Sequence, residues 1–116
     1  MTVPLSGAIS RNNFVFTSGQ ICLTSEEKLL KGTIEEQTRQ VMENLENVLK
    51  KEGVSFKDVV KTTIYVTDMA IYNDVNKIYA SFLKQPYPAR EMICVKELPL
   101  GAKVEISMIA AKKKLI

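Results

Sequence analysis

The chain has 116 residues and a formal net charge of +3, with 46% apolar and 25% charged residues. That length builds one core and not two, and the balance is that of a globular chain rather than a disordered or fibrous one, so a single domain over residues 1–116 is expected. The sequence holds no histidine, which removes the usual general base, proton shuttle and favoured metal ligand and leaves Arg, carboxylates, hydroxyls, backbone groups and water for any chemistry.

The elements follow in chain order. Phe14-Val15-Phe16-Thr17 is aromatic and β-branched and is preceded by Arg11-Asn12-Asn13, a turn signal, so residues 6–21 are expected to form a hairpin. A polar stretch, Thr24 to Gly32, leads to Thr33-Ile34-Glu35-Glu36, where Thr33 can cap a helix and Glu36 can reach back to its amide. Ile34, Val41, Leu45, Val48 and Leu49 make one stripe of that helix, about five turns long, and Gly53 suits the left-handed residue after it. Val59 to Val66 is a third strand, expected to place Val60, Thr62, Ile64 and Val66 on one face and Val59, Lys61, Thr63 and Tyr65 on the other.

Asp68 can cap a second helix whose residues Tyr72, Val75, Tyr79 and Phe82 recur at helical spacing, a stripe expected to face the core, before Pro86 and Pro88 stop it. Residues 90–97 and 103–110 are two further strands joined by Leu98-Pro99-Leu100-Gly101. The order β-β-α-β-α-β-β predicts an α+β fold, a mixed sheet with both helices on one face. Two helices cover only one face, yet the other carries apolar residues as well, so a partner subunit is expected to cover part of it.

Several functions are disfavoured. Lys112, Lys113 and Lys114 carry as much positive charge as the whole excess, so the body is near neutral and nucleic acid is not an expected partner. Cys22 and Cys94 fit no metal-ligand spacing and are expected to be buried free thiols in a reducing cytoplasm. No segment approaches the ~20 apolar residues of a membrane span, and residues 1–20 do not read as a secretory leader. No metal and no organic cofactor is expected; pyridoxal phosphate would need a glycine-rich phosphate cradle that the sequence lacks.

Arg90 is the residue that stands out. It lies in Pro88-Ala89-Arg90, after the second helix and before the apolar run Met92-Ile93-Cys94-Val95, and a guanidinium at the mouth of a buried strand suggests a bound carboxylate. The competing reading pairs it with Glu91 or Glu105. Glu105 shares a strand face with Lys103 and Ser107 and should point away from the helix-packed core. Ser18-Gly19 at a strand end offers a hydroxyl and a backbone that a ligand can approach, although such a pair is also ordinary turn chemistry.

Phe16-Thr17-Ser18-Gly19-Gln20, Glu36-Gln37-Thr38-Arg39-Gln40, Asp58-Val59-Val60-Lys61-Thr62-Thr63, Val75-Asn76, Pro88-Ala89-Arg90 and Val104-Glu105-Ile106 together resemble the RidA (YjgF) family from about Val3 to Ala111. The resemblance implies a chorismate-mutase-like homotrimer with a site in each cleft between subunits. It implies hydrolysis of 2-enamine and 2-imine acids, such as 2-aminoacrylate and 2-iminobutyrate, to 2-keto acids and ammonia. Arg90 would hold the substrate carboxylate, assisted by the Met92 amide, with Ser18 and Gly19 lining the site. Glu105 would position the attacking water, a task suited to a carboxyl whose pKa burial has raised.

Two positions depart from the family pattern. Where a tyrosine usually lines the cleft in a Pro-Tyr-Ser-Gln block, this chain has Pro4-Leu5-Ser6-Gly7, and the Ser-Cys that often follows the arginine is Glu91-Met92. The lost phenol leaves room for a second expectation, a non-catalytic trimer that binds small carboxylates or 2-keto acids as a regulator. An endoribonuclease or translation inhibitor fits the near-neutral body less well.

Overall fold

The computed structural model describes residues 3–113; Lys114 of the expected basic tail lies outside the described residues. Strands β1 (Ala8–Arg11) and β2 (Phe14–Thr17) are joined through Asn12 and Asn13, both at positive φ, 49° and 69°. Asparagine tolerates that region better than other side-bearing residues, which closes the two-residue turn. Helix α1 (Ile34–Lys51) begins with the expected capping box: Glu36 N–H donates to Thr33 Oγ1 at 3.1 Å, and Thr33 N–H donates to Glu36 Oε1 at 2.8 Å. Gly53 follows its end at φ 78°.

Strand β3 (Val59–Val66) is followed by a 3-10 turn (Met69–Ile71) and helix α2 (Tyr72–Ser81). Asp68 caps the 3-10 turn, its side chain accepting from Ala70 N–H at 2.9 Å, rather than the first turn of α2 itself. Strands β4 (Ala89–Cys94) and β5 (Val104–Ala111) complete a five-stranded sheet of order β1-β2-β5-β3-β4. β3 and β4, linked through α2, are parallel and the other pairs antiparallel. This is the expected mixed sheet.

One core lies between the helices and one face of the sheet. Val41, Met42, Leu45 and Leu49 of α1 and Val75 and Tyr79 of α2 meet Val15, Ile64, Val66, Val104, Ile106, Met108 and Ala110. Alternation along β5 is complete, with Val104, Ile106, Met108 and Ala110 buried and Glu105 and Ser107 on the open face. Among the described residues no helix is long and apolar enough to cross a membrane.

Four expectations are corrected. Val59 is buried and Val60 is 47% exposed, because a bulge between Val59 and Lys61 inserts one residue against β5 and reverses the alternation at the strand's start. Tyr72 is 39% exposed and does not join the core with Val75 and Tyr79; at the first position of α2 it reaches the edge of the sheet. Cys22 is buried but Cys94 is exposed, as β4 is an edge strand. For the same reason Arg90 opens an edge strand rather than a buried one.

Candidate active site

The residues singled out in the sequence fall into two groups. The first is built on β4 and α2. Arg90 pairs in register with Thr62 and Met92 with Ile64, which puts both side chains on the helix-packed face of the sheet. Tyr72, Asn76 and Tyr79 occur at spacings of four and three along α2, so they form one stripe facing that edge. Arg90 Nη1 donates to Asn76 Oδ1 at 2.6 Å and Nη2 to Tyr72 Oη at 3.4 Å. The guanidinium carbon lies 5.4 Å from the centre of the Tyr79 ring and 5.9 Å from that of Tyr72, within cation–π range.

Tyr79 is anchored from below. Its Oη donates to Thr62 Oγ1 at 2.9 Å inside the core, which satisfies two buried polar groups and fixes the ring under the guanidinium. Burial raises the Tyr79 pKa, opposed by the Thr62 hydrogen bond and the Arg90 charge, so the phenol stays protonated at neutral pH.

The competing partner Glu91 is otherwise engaged, and Glu105 lies on the other face of the sheet. Glu91 lies on the opposite face and accepts from Lys61 Nζ at 2.7 Å, which holds its carboxyl below the usual range. Among the described residues no carboxylate lies within salt-bridge distance of Arg90. A guanidinium has five N–H donors, of which Asn76 and Tyr72 occupy two. Arg90 also lines a hollow of about 310 Å³ with Asn76, Tyr79, Ala80, Tyr87 and Pro88.

Met92 adds a backbone donor. Val95 N–H bonds to Val66 O at 2.8 Å, and amides along a strand alternate in direction. The amides of Ile93 and Glu91 therefore face β3 with that of Val95, and the Met92 amide faces outward from the free edge, on the strand that carries Arg90.

The second group sits between β2 and β5. Gln20 and Ile106 exchange both backbone hydrogen bonds, at 2.8 and 3.0 Å, which draws Gly19 beside Glu105. A Cβ on Gly19 would collide with the Glu105 carboxylate and lie 2.7 Å from its Cδ, so the absent side chain makes room for the acid. Ser18 Oγ donates to Ser6 O at 2.6 Å and Ser18 N–H to Gly7 O at 2.9 Å, tying the segment that follows Leu5 to this corner. Glu105 is half-buried, and desolvation raises its pKa, the direction expected from the sequence.

One chain does not bring the groups together. Glu105 registers with Tyr65, and Tyr65 with Ile93, so two strand spacings, about 10 Å, separate Glu105 from β4. Glu105 is on the open face and Arg90 on the other. The sequence singled out Arg90, Met92, Ser18, Gly19 and Glu105 as candidates; it did not point to Tyr72 as a contact of Arg90, because the α2 stripe read as core throughout. The signal was there in Asn76, an amide interrupting that stripe.

Two helices over one face of a sheet with this strand order define a fold shared with known proteins. A family model described as Endoribonuclease L-PSP matches residues 1–112. The Reactive Intermediate Deaminase A, chloroplastic, of Arabidopsis thaliana is 45% identical over 108 residues, which are 92% of this chain and 58% of that longer protein. The crystal structure of RidA from an Antarctic Psychrobacter superposes with a TM-score of 0.90 at 34% identity, covering 96% of this chain and 90% of that one. That of E. coli TdcF with bound serine gives 0.91 at 28% identity, covering 97% of this chain and 91% of that one. The chain belongs to the Endoribonuclease L-PSP family, the YjgF/RidA family.

Proposed function

We propose that this protein is a hydrolytic deaminase of reactive 2-imino and 2-enamino acids, with 2-iminobutyrate and 2-aminoacrylate as representative substrates. The observation that carries the reading is Arg90: a rigidly held guanidinium with no carboxylate partner among the described residues, beside a hollow and an outward-facing amide. A 2-imino acid supplies the missing anion. Arg90 and the Met92 amide hold its carboxylate, and the adjacent imine carbon is thereby fixed.

Glu105, in its carboxylate form, takes a proton from water as the oxygen attacks the imine carbon. That proton passes to nitrogen to give the carbinolamine, and the proton of its new hydroxyl then moves through Glu105 to the amine as the C–N bond breaks, releasing the 2-keto acid and ammonia; an enamine enters after tautomerising to its imine. Ser18 and Gly19 form the floor beside Glu105. This chemistry needs both groups at one substrate, and we infer that a homotrimer joins the Arg90 edge of one subunit to the Glu105 face of the next. Ile9, Phe14, Phe16 and Ile93, all exposed on the open face, are apolar surface that such packing covers. The chain as a single domain, the absence of a cofactor and a cytoplasmic site of action belong to the same proposal; the free thiols of Cys22 and Cys94 suit a reducing compartment.

Support also comes from the relative named as a deaminase and from the neighbour with bound serine, a small molecule that carries a carboxylate. The family description names an endoribonuclease, but RNA cleavage would lack a histidine here and would act through a near-neutral body. A regulatory binder is the second reading, favoured by Leu5, which is exposed and cannot donate where the family pattern has a tyrosine. Generating 2-iminobutyrate from threonine with a dehydratase and following keto-acid release tests the first reading. Acceleration over spontaneous hydrolysis is expected; calorimetric binding of 2-ketobutyrate without acceleration would favour the second.

A further inference from the structure

We propose that Tyr72 is a substrate-binding residue, its phenol donating to the same carboxylate that Arg90 holds. The proposal rests on the reading of Arg90 as a carboxylate clamp. A phenol offers one proton and accepts at oxygen. Here the oxygen accepts from Arg90 Nη2 at 3.4 Å, so the Tyr72 proton points elsewhere, and among the described residues no acceptor takes it. The contrast within the cluster is informative. Tyr79 spends its proton on Thr62 inside the core and offers Arg90 only the face of its ring. Tyr72 is 39% exposed, and its hydroxyl stands at the guanidinium edge where an anion would lie.

The backbone supports a defined position. Tyr72 is the first residue of α2, preceded by the 3-10 turn that Asp68 caps, so its Cα is fixed relative to Asn76 one turn on. Asn76 takes one terminal nitrogen of Arg90 and Tyr72 the other. A carboxylate at the Nη2 end accepts from the Arg90 donors that remain there and from the phenol. The chain thus has a phenol at its candidate site although residue 5 is leucine.

The test is Tyr72→Phe, which keeps the ring and its contact with Arg90 and removes only the hydroxyl. The Kd of 2-ketobutyrate and the KM for 2-iminobutyrate are expected to rise about tenfold, as for a lost hydrogen bond to a charged group, with kcat nearly unchanged. Binding of the neutral 2-ketobutyramide, far weaker at the outset because it cannot form the charge-assisted fork, is expected to change much less. Unchanged Kd for 2-ketobutyrate, or an equal loss for acid and amide, would overturn the role. The outcomes separate from those of the deaminase reading: a wild type that binds the keto acid without turnover sinks the deaminase and leaves Tyr72 supported by the Kd shift. A wild type that turns over with Tyr72→Phe indistinguishable from it sinks Tyr72 alone.

Discussion

The two ends of the candidate site are built in opposite ways. Around Arg90 the work is done by side chains: Asn76 and Tyr72 grip the terminal nitrogens, and Tyr79, bolted to Thr62, lies beneath. Around Glu105 it is done by the backbone and by a missing side chain, with the Gln20–Ile106 bridge drawing Gly19 to the acid and nothing but hydrogen at its Cα. In the proposed mechanism Arg90 holds the substrate, and its charge is scaffolded by three side chains. The carboxylate proposed to exchange protons with water is left half-buried, its pKa raised by desolvation.

The largest expected effect comes from removing the scaffolded charge. Arg90→Ala should lower kcat/KM for 2-iminobutyrate by about a thousandfold, the order of a lost charge-assisted fork to a carboxylate. The fold should survive, because Arg90 lies at an edge and Tyr79 keeps its Thr62 partner. Thermal unfolding and the kinetic assay together check this, and equal rates for variant and wild type would take Arg90 out of the mechanism.

At the other end, Glu105→Gln should cost about a hundredfold in kcat, near the low end of general acid–base contributions. The pH dependence is more diagnostic. Burial raises the Glu105 pKa, so the active carboxylate is lost as pH falls through a value above the usual carboxylate range, and the acid limb of kcat should sit there in wild type and vanish in Glu105→Gln. The sign for stability is the reverse of a salt-bridged acid: a raised folded-state pKa contributes stability below the unfolded value that is lost as pH rises through the folded one. Glu105→Gln should therefore be slightly the more stable at neutral pH, with the advantage shrinking toward acid. An unchanged acid limb would leave Glu105 without its role.

The sheet, both helices, the capping box and the side of β5 on which Glu105 lies were legible from periodicity and cap chemistry, which are local. What failed was decided by neighbours in space. The bulge that exchanges Val59 and Val60 depends on the register against Ala110 and Ile109, which no pattern within β3 encodes. Cys94 and the start of β4 looked buried because Met92, Ile93, Cys94 and Val95 are consecutive apolar residues, but the strand order leaves β4 at an edge. Tyr72 shares the α2 stripe with Val75 and Tyr79, yet the sheet ends beneath it. The clamp around Arg90 was legible only in part: Asn76 interrupts the α2 stripe, but it lies 14 residues from Arg90 and the two meet only across a crossover.

The smallest effect in this set sharpens what Gly19 is for. Its nearest neighbours are the atoms of Glu105, and a methyl group there would overlap the carboxylate, the far end of a flexible side chain that can swing aside at little cost. Gly19→Ala should therefore unfold close to the wild-type temperature, yet place the acid about an ångström off its position and lower kcat roughly tenfold, since catalysis is more sensitive to that displacement than folding is. Binding of 2-ketobutyrate, which depends on the Arg90 end, should hardly change. If Gly19→Ala instead lost affinity and kept kcat, the glycine would serve the ligand's approach to the backbone rather than the seat of Glu105.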